Sequence, residues 1–155
     1  MSYDIRAEAL PERLTLVKRA HVAPDELGGW LHRAYQELFA YIAERDVPVT
    51  GPPFGRYASN DGIIVEAGIP IAAPIPVSGD LVLSSLPATD AATTCHVGPY
   101  ERLLDASDAL EKWIHDHGYE RKGPYWEVYV SDPESSHDPE TLQTVVIMPY
   151  RLPMY

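Results

Sequence analysis

An α+β fold built from two related strand–helix–strand–strand units is predicted by three features of this 155-residue chain. First, His21-Val22-Ala23-Pro24 recurs as His96-Val97-Gly98-Pro99, and Gly51-Pro52 followed by Tyr57 recurs as Gly123-Pro124 followed by Tyr129. Second, one amphipathic helix pattern of similar length lies between the members of each pair. Third, a proline-rich connection, Ala72 to Ser78, separates the copies. A repeated unit of this size closes no core alone, so the halves are expected to pack together as one domain over residues 1–155, with internal repeats at about 13–72 and 90–150. The expected sheet is curved and antiparallel, with both helices on one face. A ligand cavity is expected at the pseudo-two-fold seam.

The elements follow in order. Leu10-Pro11-Glu12 interrupts the stretch from Ile5 to Val22, and alternation from Leu14 to His21 suits a strand. Pro24, Asp25 and Glu26 open a helix, because proline and acids favour the first turn. Leu27, Trp30, Leu31, Ala34, Leu38 and Ile42 then recur at three- and four-residue steps. Gly28-Gly29 weakens that helix without forming a phosphate-binding loop. Phe54 to Ala58 and Ile63 to Ile71 read as strands around the turn Ser59 to Gly62, and Asp80 to Leu86 as a further short strand. The second copy begins with a strand at Ala91 to Val97. A helix from about Tyr100 to His117 buries Leu103, Ala106, Leu110, Trp113 and Ile114, and Gly118 caps it. Tyr125 to Ser131 and Leu142 to Pro149 are the last strands. They flank an acidic loop, Asp132 to Glu140, expected to be mobile.

Composition restricts the function. Twelve basic and 23 acidic residues give a net charge of −11, which repels a polyanionic duplex and anionic membrane surfaces, so neither direct nucleic-acid binding nor membrane association is expected. No apolar run approaches the roughly 20 residues of a membrane span, and Met1 to Glu12 holds no hydrophobic signal core. The single cysteine, Cys95, allows no internal disulfide. A cytoplasmic location is therefore expected. Exposed strand edges leave room for a homodimer or a protein partner.

Alternation places Tyr125, Glu127 and Tyr129 on one face of their strand and Trp126, Val128 and Val130 on the other. The apolar set is expected beneath the helices, leaving a carboxylate between two phenols on the face open to a ligand. The matching positions of the first copy, Pro53, Gly55 and Tyr57, are smaller and uncharged. A carboxylate enclosed by apolar walls favours a cationic guest, which restores its charged form, while phenol faces add cation–π attraction. The alternative is a surface Glu127, or one paired with Arg56. Glu66 is either a second cavity acid or a surface charge. His115 and His117 share no helix face, Cys95 and His96 point to opposite sides of a strand, and His21 and His96 are expected to shape strand-to-helix corners. Neither a metal site nor a cofactor is expected.

Four stretches carry a resemblance: Gly51-Pro52-Pro53-Phe54-Gly55-Arg56-Tyr57, Val65-Glu66-Ala67-Gly68-Ile69-Pro70, His96-Val97-Gly98-Pro99-Tyr100, and Gly123-Pro124-Tyr125-Trp126-Glu127-Val128-Tyr129. In that order and spacing the chain resembles the GyrI-like small-molecule-binding domains, which also occur as effector-binding domains of AraC- and MerR-type regulators. The resemblance implies a duplicated fold with a cavity between its halves and an acid, here Glu127, facing that cavity among aromatics. Glu127, Tyr57, Tyr125, Tyr129, Phe54 and Glu66 are the ligand-binding candidates for an amphipathic aromatic, cationic small molecule. Multidrug sensing or sequestration is the implied role. Family members also include hydrolases that open cyclopropane rings of reactive natural products, in which case Glu127 is the catalytic acid or base. Gyrase-modulating proteins are a further alternative, acting through a protein surface. The chain opens on its first strand, so a stand-alone form without a DNA-reading helix pair is expected.

Overall fold

The computed structural model describes residues 3–59, 62–131 and 138–153. Asn60 and Asp61 of the expected turn, and Asp132 to His137 of the acidic loop, lie outside the described residues. The architecture is α+β, and every strand pairing among the described residues is antiparallel. The chain divides into two compact units, Glu12–Pro87 and Met1–Pro11 with Ala88–Tyr155.

The first unit contains β2 (Arg13–Val22), α1 (Leu27–Arg45), β3 (Phe54–Ser59), β4 (Ile63–Pro70) and β5 (Leu81–Leu86). Its strands run β5-β2-β4-β3. Pro24 starts a 3-10 turn, Pro24–Glu26, and α1 follows at Leu27. Ala34, Leu38 and Ile42 recur every four residues along α1, so they line one stripe and are buried. They pack on Leu16, Ala67, Ile69 and Leu81, which defines the helix-bearing face of this sheet. The Tyr35 hydroxyl donates to the Phe54 carbonyl and ties α1 to β3. Asp46 ends the helix in the left-handed region, its N–H bonded to the Ile42 carbonyl. Near the helix start, a Cβ added at Gly28 meets nothing within 4 Å. Gly28→Ala is therefore expected to stabilise the chain by about 0.5–1 kcal/mol, read as a raised urea midpoint, by restricting the unfolded backbone at no steric cost.

The second unit contains β1 (Arg6–Leu10), β6 (Thr89–Val97), α2 (Leu103–Asp116), β7 (Glu120–Arg121), β8 (Tyr125–Tyr129) and β9 (Gln143–Arg151). Its main strands run β1-β6-β9-β8, and β7 also pairs with β9. Leu103, Ala106, Leu110 and Ile114 of α2 pack on Ala92, Val146 and Met148. Gly118 follows with φ of +75°, donating to His115, while Tyr119 donates to Ile114. This is a glycine-based helix stop, as the sequence predicts.

The two units share one connectivity, strand–helix–strand–strand. Each carries an additional edge strand, and the second also has the two-residue β7 between α2 and β8. In the first unit β5 follows the repeat and pairs with β2. In the second unit β1 precedes it and pairs with β6. The unit boundary consequently falls after Pro87 rather than within the proline-rich stretch Ala72 to Ser78.

Candidate functional site

Register fixes which side of each sheet the chemistry-bearing residues occupy, since directly paired residues share a face. In the second unit Glu127 pairs with Val146, and Tyr129 with Thr144. Val146 belongs to the cluster beneath α2, and Tyr125 packs against that cluster. Tyr125, Glu127 and Tyr129 therefore lie on the helix-bearing face. This corrects the expectation that Trp126 and Val128 lie beneath the helix. Trp126 pairs with Ile147 on the opposite face and is nevertheless buried. Both sides of β8 are enclosed there, so apolarity does not reveal which one meets α2.

Glu127 is only 8% exposed, which excludes the surface-facing alternative. The Tyr129 hydroxyl donates to its Oε1 at 2.9 Å. The ring of Tyr100 meets that of Tyr129 edge-on, centroids 5.9 Å apart. Burial, and next the Glu127 carboxylate, push the Tyr125 phenol above its usual range, partly offset by Arg121. Tyr125 thus stays a neutral donor, and the Arg121 guanidinium carbon lies 5.6 Å from its ring centroid.

In the first unit Tyr57 pairs with Val65 and lies on the helix-bearing face, 9% exposed. Phe54 and Glu66 lie on the other face of that sheet. Phe54 pairs with Gly68, and Glu66 pairs with both Arg56 and Arg19. Glu66 is buried, and its Oε2 accepts from Arg19 Nε at 2.6 Å. It is thus a buried acid held in an ion pair.

The equivalent ladders show where the units diverge. On the helix-bearing face the first unit sets Gly55 opposite Ala67 and Tyr57 opposite Val65. The second sets Glu127 opposite Val146 and Tyr129 opposite Thr144. Across the next strand, Lys18 and Ala20 in the first unit correspond to Thr94 and His96 in the second. His96 is buried, its Nδ1 3.0 Å from the Tyr3 hydroxyl and its Nε2 3.2 Å from the Pro99 carbonyl oxygen. It helps hold the corner before α2, as expected. His21, its partner in the sequence repeat, is exposed. Cys95 is exposed beside buried His96, so the two do point apart.

A cavity of about 420 Å³ in the second unit is lined by Tyr3, His96, Arg102, Asp105, Lys112 and Glu140 among others. Its walls carry charges of both signs, several already paired: Arg102 with Glu140 at 3.9 Å, and Lys112 with Asp116 at 3.0 Å. Such a lining suits water better than an aromatic guest, which requires mostly apolar walls. Among the described residues, no group of three His, Cys, Asp or Glu side chains is placed to hold a metal ion. No helix there is long and apolar enough to cross a membrane.

Two units of one connectivity, each an antiparallel sheet bearing one helix, define an α+β domain with an acid buried beside aromatics. Residues 3–151 match the family model described as the GyrI-like small molecule binding domain, and the chain belongs to that family. Among solved structures, the C-terminal domain of EcmrR is 22% identical over 99% of this chain and 100% of its own, with a TM-score of 0.82. In a cryo-EM structure of EcmrR with DNA, the chain spans 58% of the length of EcmrR, at 21% identity, 97% coverage of this chain and a TM-score of 0.80. A hydrolase from Listeria innocua is 14% identical over 95% of this chain and 91% of its own, with a TM-score of 0.68. SAV2435 bound to tetraphenylphosphonium is 15% identical over 97% of this chain and 94% of its own, with a TM-score of 0.67. At these identities the likeness is one of fold. Among curated proteins, none matches the chain in sequence.

Proposed function

We propose that this domain binds amphipathic aromatic cations, in a cytoplasmic sensing or sequestering role, through Glu127 and the phenols of Tyr125 and Tyr129. The observation that carries this reading is the burial of Glu127 where the other unit has Gly55 at the same ladder position. The fold does not require an acid there, because the first unit forms without one. Desolvating a carboxylate costs several kcal/mol, and an aromatic cation offsets that cost with an opposite charge and ring contacts. SAV2435, of the same fold, holds tetraphenylphosphonium, a guest of that chemistry. Phe54 and Glu66 lie on the opposite sheet face, and the proposal does not draw on them. Calorimetric titration with tetraphenylphosphonium tests it: wild type binds with one site, and Glu127→Gln loses most of the affinity.

A second reading is favoured by the 2.9 Å hydrogen bond from Tyr129 to Glu127, which also suits proton transfer. There Glu127 moves protons during water-driven opening of a strained ring in an aromatic natural product, and the phenols hydrogen-bond the developing phenolate. Product formation at substoichiometric protein separates a hydrolase from a binder. A coupled transcriptional readout or a protein partner such as gyrase belongs to neither reading's core chemistry.

A further inference from the structure

The helix-bearing face of the second unit holds one polar group that the fold leaves unused. Thr144 is 0% exposed, and its Oγ1 has no hydrogen-bond partner among the described residues. Burying a hydroxyl without a partner is unfavourable, and such groups are rare in native cores. The neighbouring polar side chains on this face are engaged. Thr94 Oγ1 donates to the Asp4 carbonyl at 2.9 Å, His96 meets Tyr3, and Glu127 accepts from Tyr129. Thr144 sits in one ladder row between Tyr129 and His96, one row from Glu127. The equivalent position in the first unit is Val65, also 0% exposed and nearly isosteric with threonine. The same connectivity is therefore built with a methyl where Thr144 carries its hydroxyl, and packing alone does not call for the oxygen.

We infer that Thr144 is a specificity residue of the site proposed above, its hydroxyl pairing with an N–H or O–H group that a guest carries beside its aromatic cation. This rests on the assignment of Glu127 as the cation's partner. Glu127 is itself buried, so a guest that reaches it must displace covering side chains. Tyr129 bonds Glu127 and pairs directly with Thr144, so a guest that displaces its ring meets both positions. The guest class is thereby narrowed from any lipophilic cation to one with a polar hydrogen at its ring edge.

The test uses two probes on the full chain: ethidium, which has aryl amine N–H groups, and tetraphenylphosphonium, which has no hydrogen-bonding group. Thr144→Val is expected to raise Tm by about 2–4 °C, because it removes an unpaired buried hydroxyl. It should weaken ethidium about five- to tenfold while leaving tetraphenylphosphonium within about twofold. Thr144→Ser, which keeps the hydroxyl, should retain ethidium affinity. Equal weakening of both probes, or a fall in Tm with ethidium unaffected, makes the hydroxyl structural and overturns the inference. So does a wild type that binds tetraphenylphosphonium but not ethidium, and in that case the cation site stands. A wild type that binds neither probe removes the cation reading itself, and the role of Thr144 with it.

Discussion

Gly68→Ala is expected to lower stability by about 2–3 kcal/mol, a fall in Tm of roughly 5–10 °C in thermal denaturation. A Cβ built on Gly68 falls 2.4 Å from Phe54 Cζ, 2.8 Å from Phe54 Cε1 and 2.8 Å from Val17 Cγ1. None of those side chains has space to retreat: Phe54 is 1% exposed and Val17 0%. Phe54 pairs directly with Gly68 across the β3–β4 ladder, so its ring lies over the glycine as over a platform. One methyl group must push an aromatic ring off its rotamer or move a central strand, and both costs are typical of overpacked cores. Shortening the intruding ring relieves the clash, so Phe54→Leu in the Gly68→Ala background should recover part of the loss. The two changes would then be non-additive, as contacting residues are. An unchanged Tm for Gly68→Ala would mean that the ring is not held there.

Glu127→Gln is expected to weaken tetraphenylphosphonium binding by about 2–4 kcal/mol, or thirty- to a thousandfold. Glutamine has nearly the same shape and keeps a carbonyl oxygen to accept from Tyr129, so packing is preserved and only the charge is removed. With 8% exposure, little water reaches the carboxylate to screen it, so its attraction for a guest cation far exceeds that of a surface acid. Thermal denaturation is read in parallel, and a Tm close to that of wild type shows that the variant keeps its fold. Weakened binding with Tm unchanged thus separates lost recognition from lost folding.

Much of this molecule is legible in its residues, and the gaps have definite causes. Leu27 to Ile42 and Leu103 to Ile114 announce their helices because their apolar stripes follow the helical period, and Gly118 announces where the second one stops. β1 is harder to read. Arg6–Leu10 is almost entirely exposed, so no buried alternation marks it, and it is defined by its distant partner β6, which pairs Arg6 with Thr93 and Leu10 with Thr89. Alternation correctly groups Tyr125, Glu127 and Tyr129, but which side meets α2 depends on the long-range register of β8 with β9. Phe54 and Tyr57, three residues apart in one strand, belong to opposite faces, and period-two spacing already said so. The similar His21 and His96 motifs hide different surroundings, one exposed and one buried. Thr144 gives no signal alone. It stands out only once the ladders align it with Val65.

The role of Glu127 as counter-charge is tested most directly with two guests of one shape and opposite sign, tetraphenylphosphonium and tetraphenylborate. Titration belongs at about 1 M salt, where screening over about 3 Å suppresses the pull of the acidic surface. Wild type should prefer the phosphonium by at least about a hundredfold, and Glu127→Gln should erase most of that preference. Equal affinity of wild type for the two ions, or a preference that survives intact in Glu127→Gln, would contradict it.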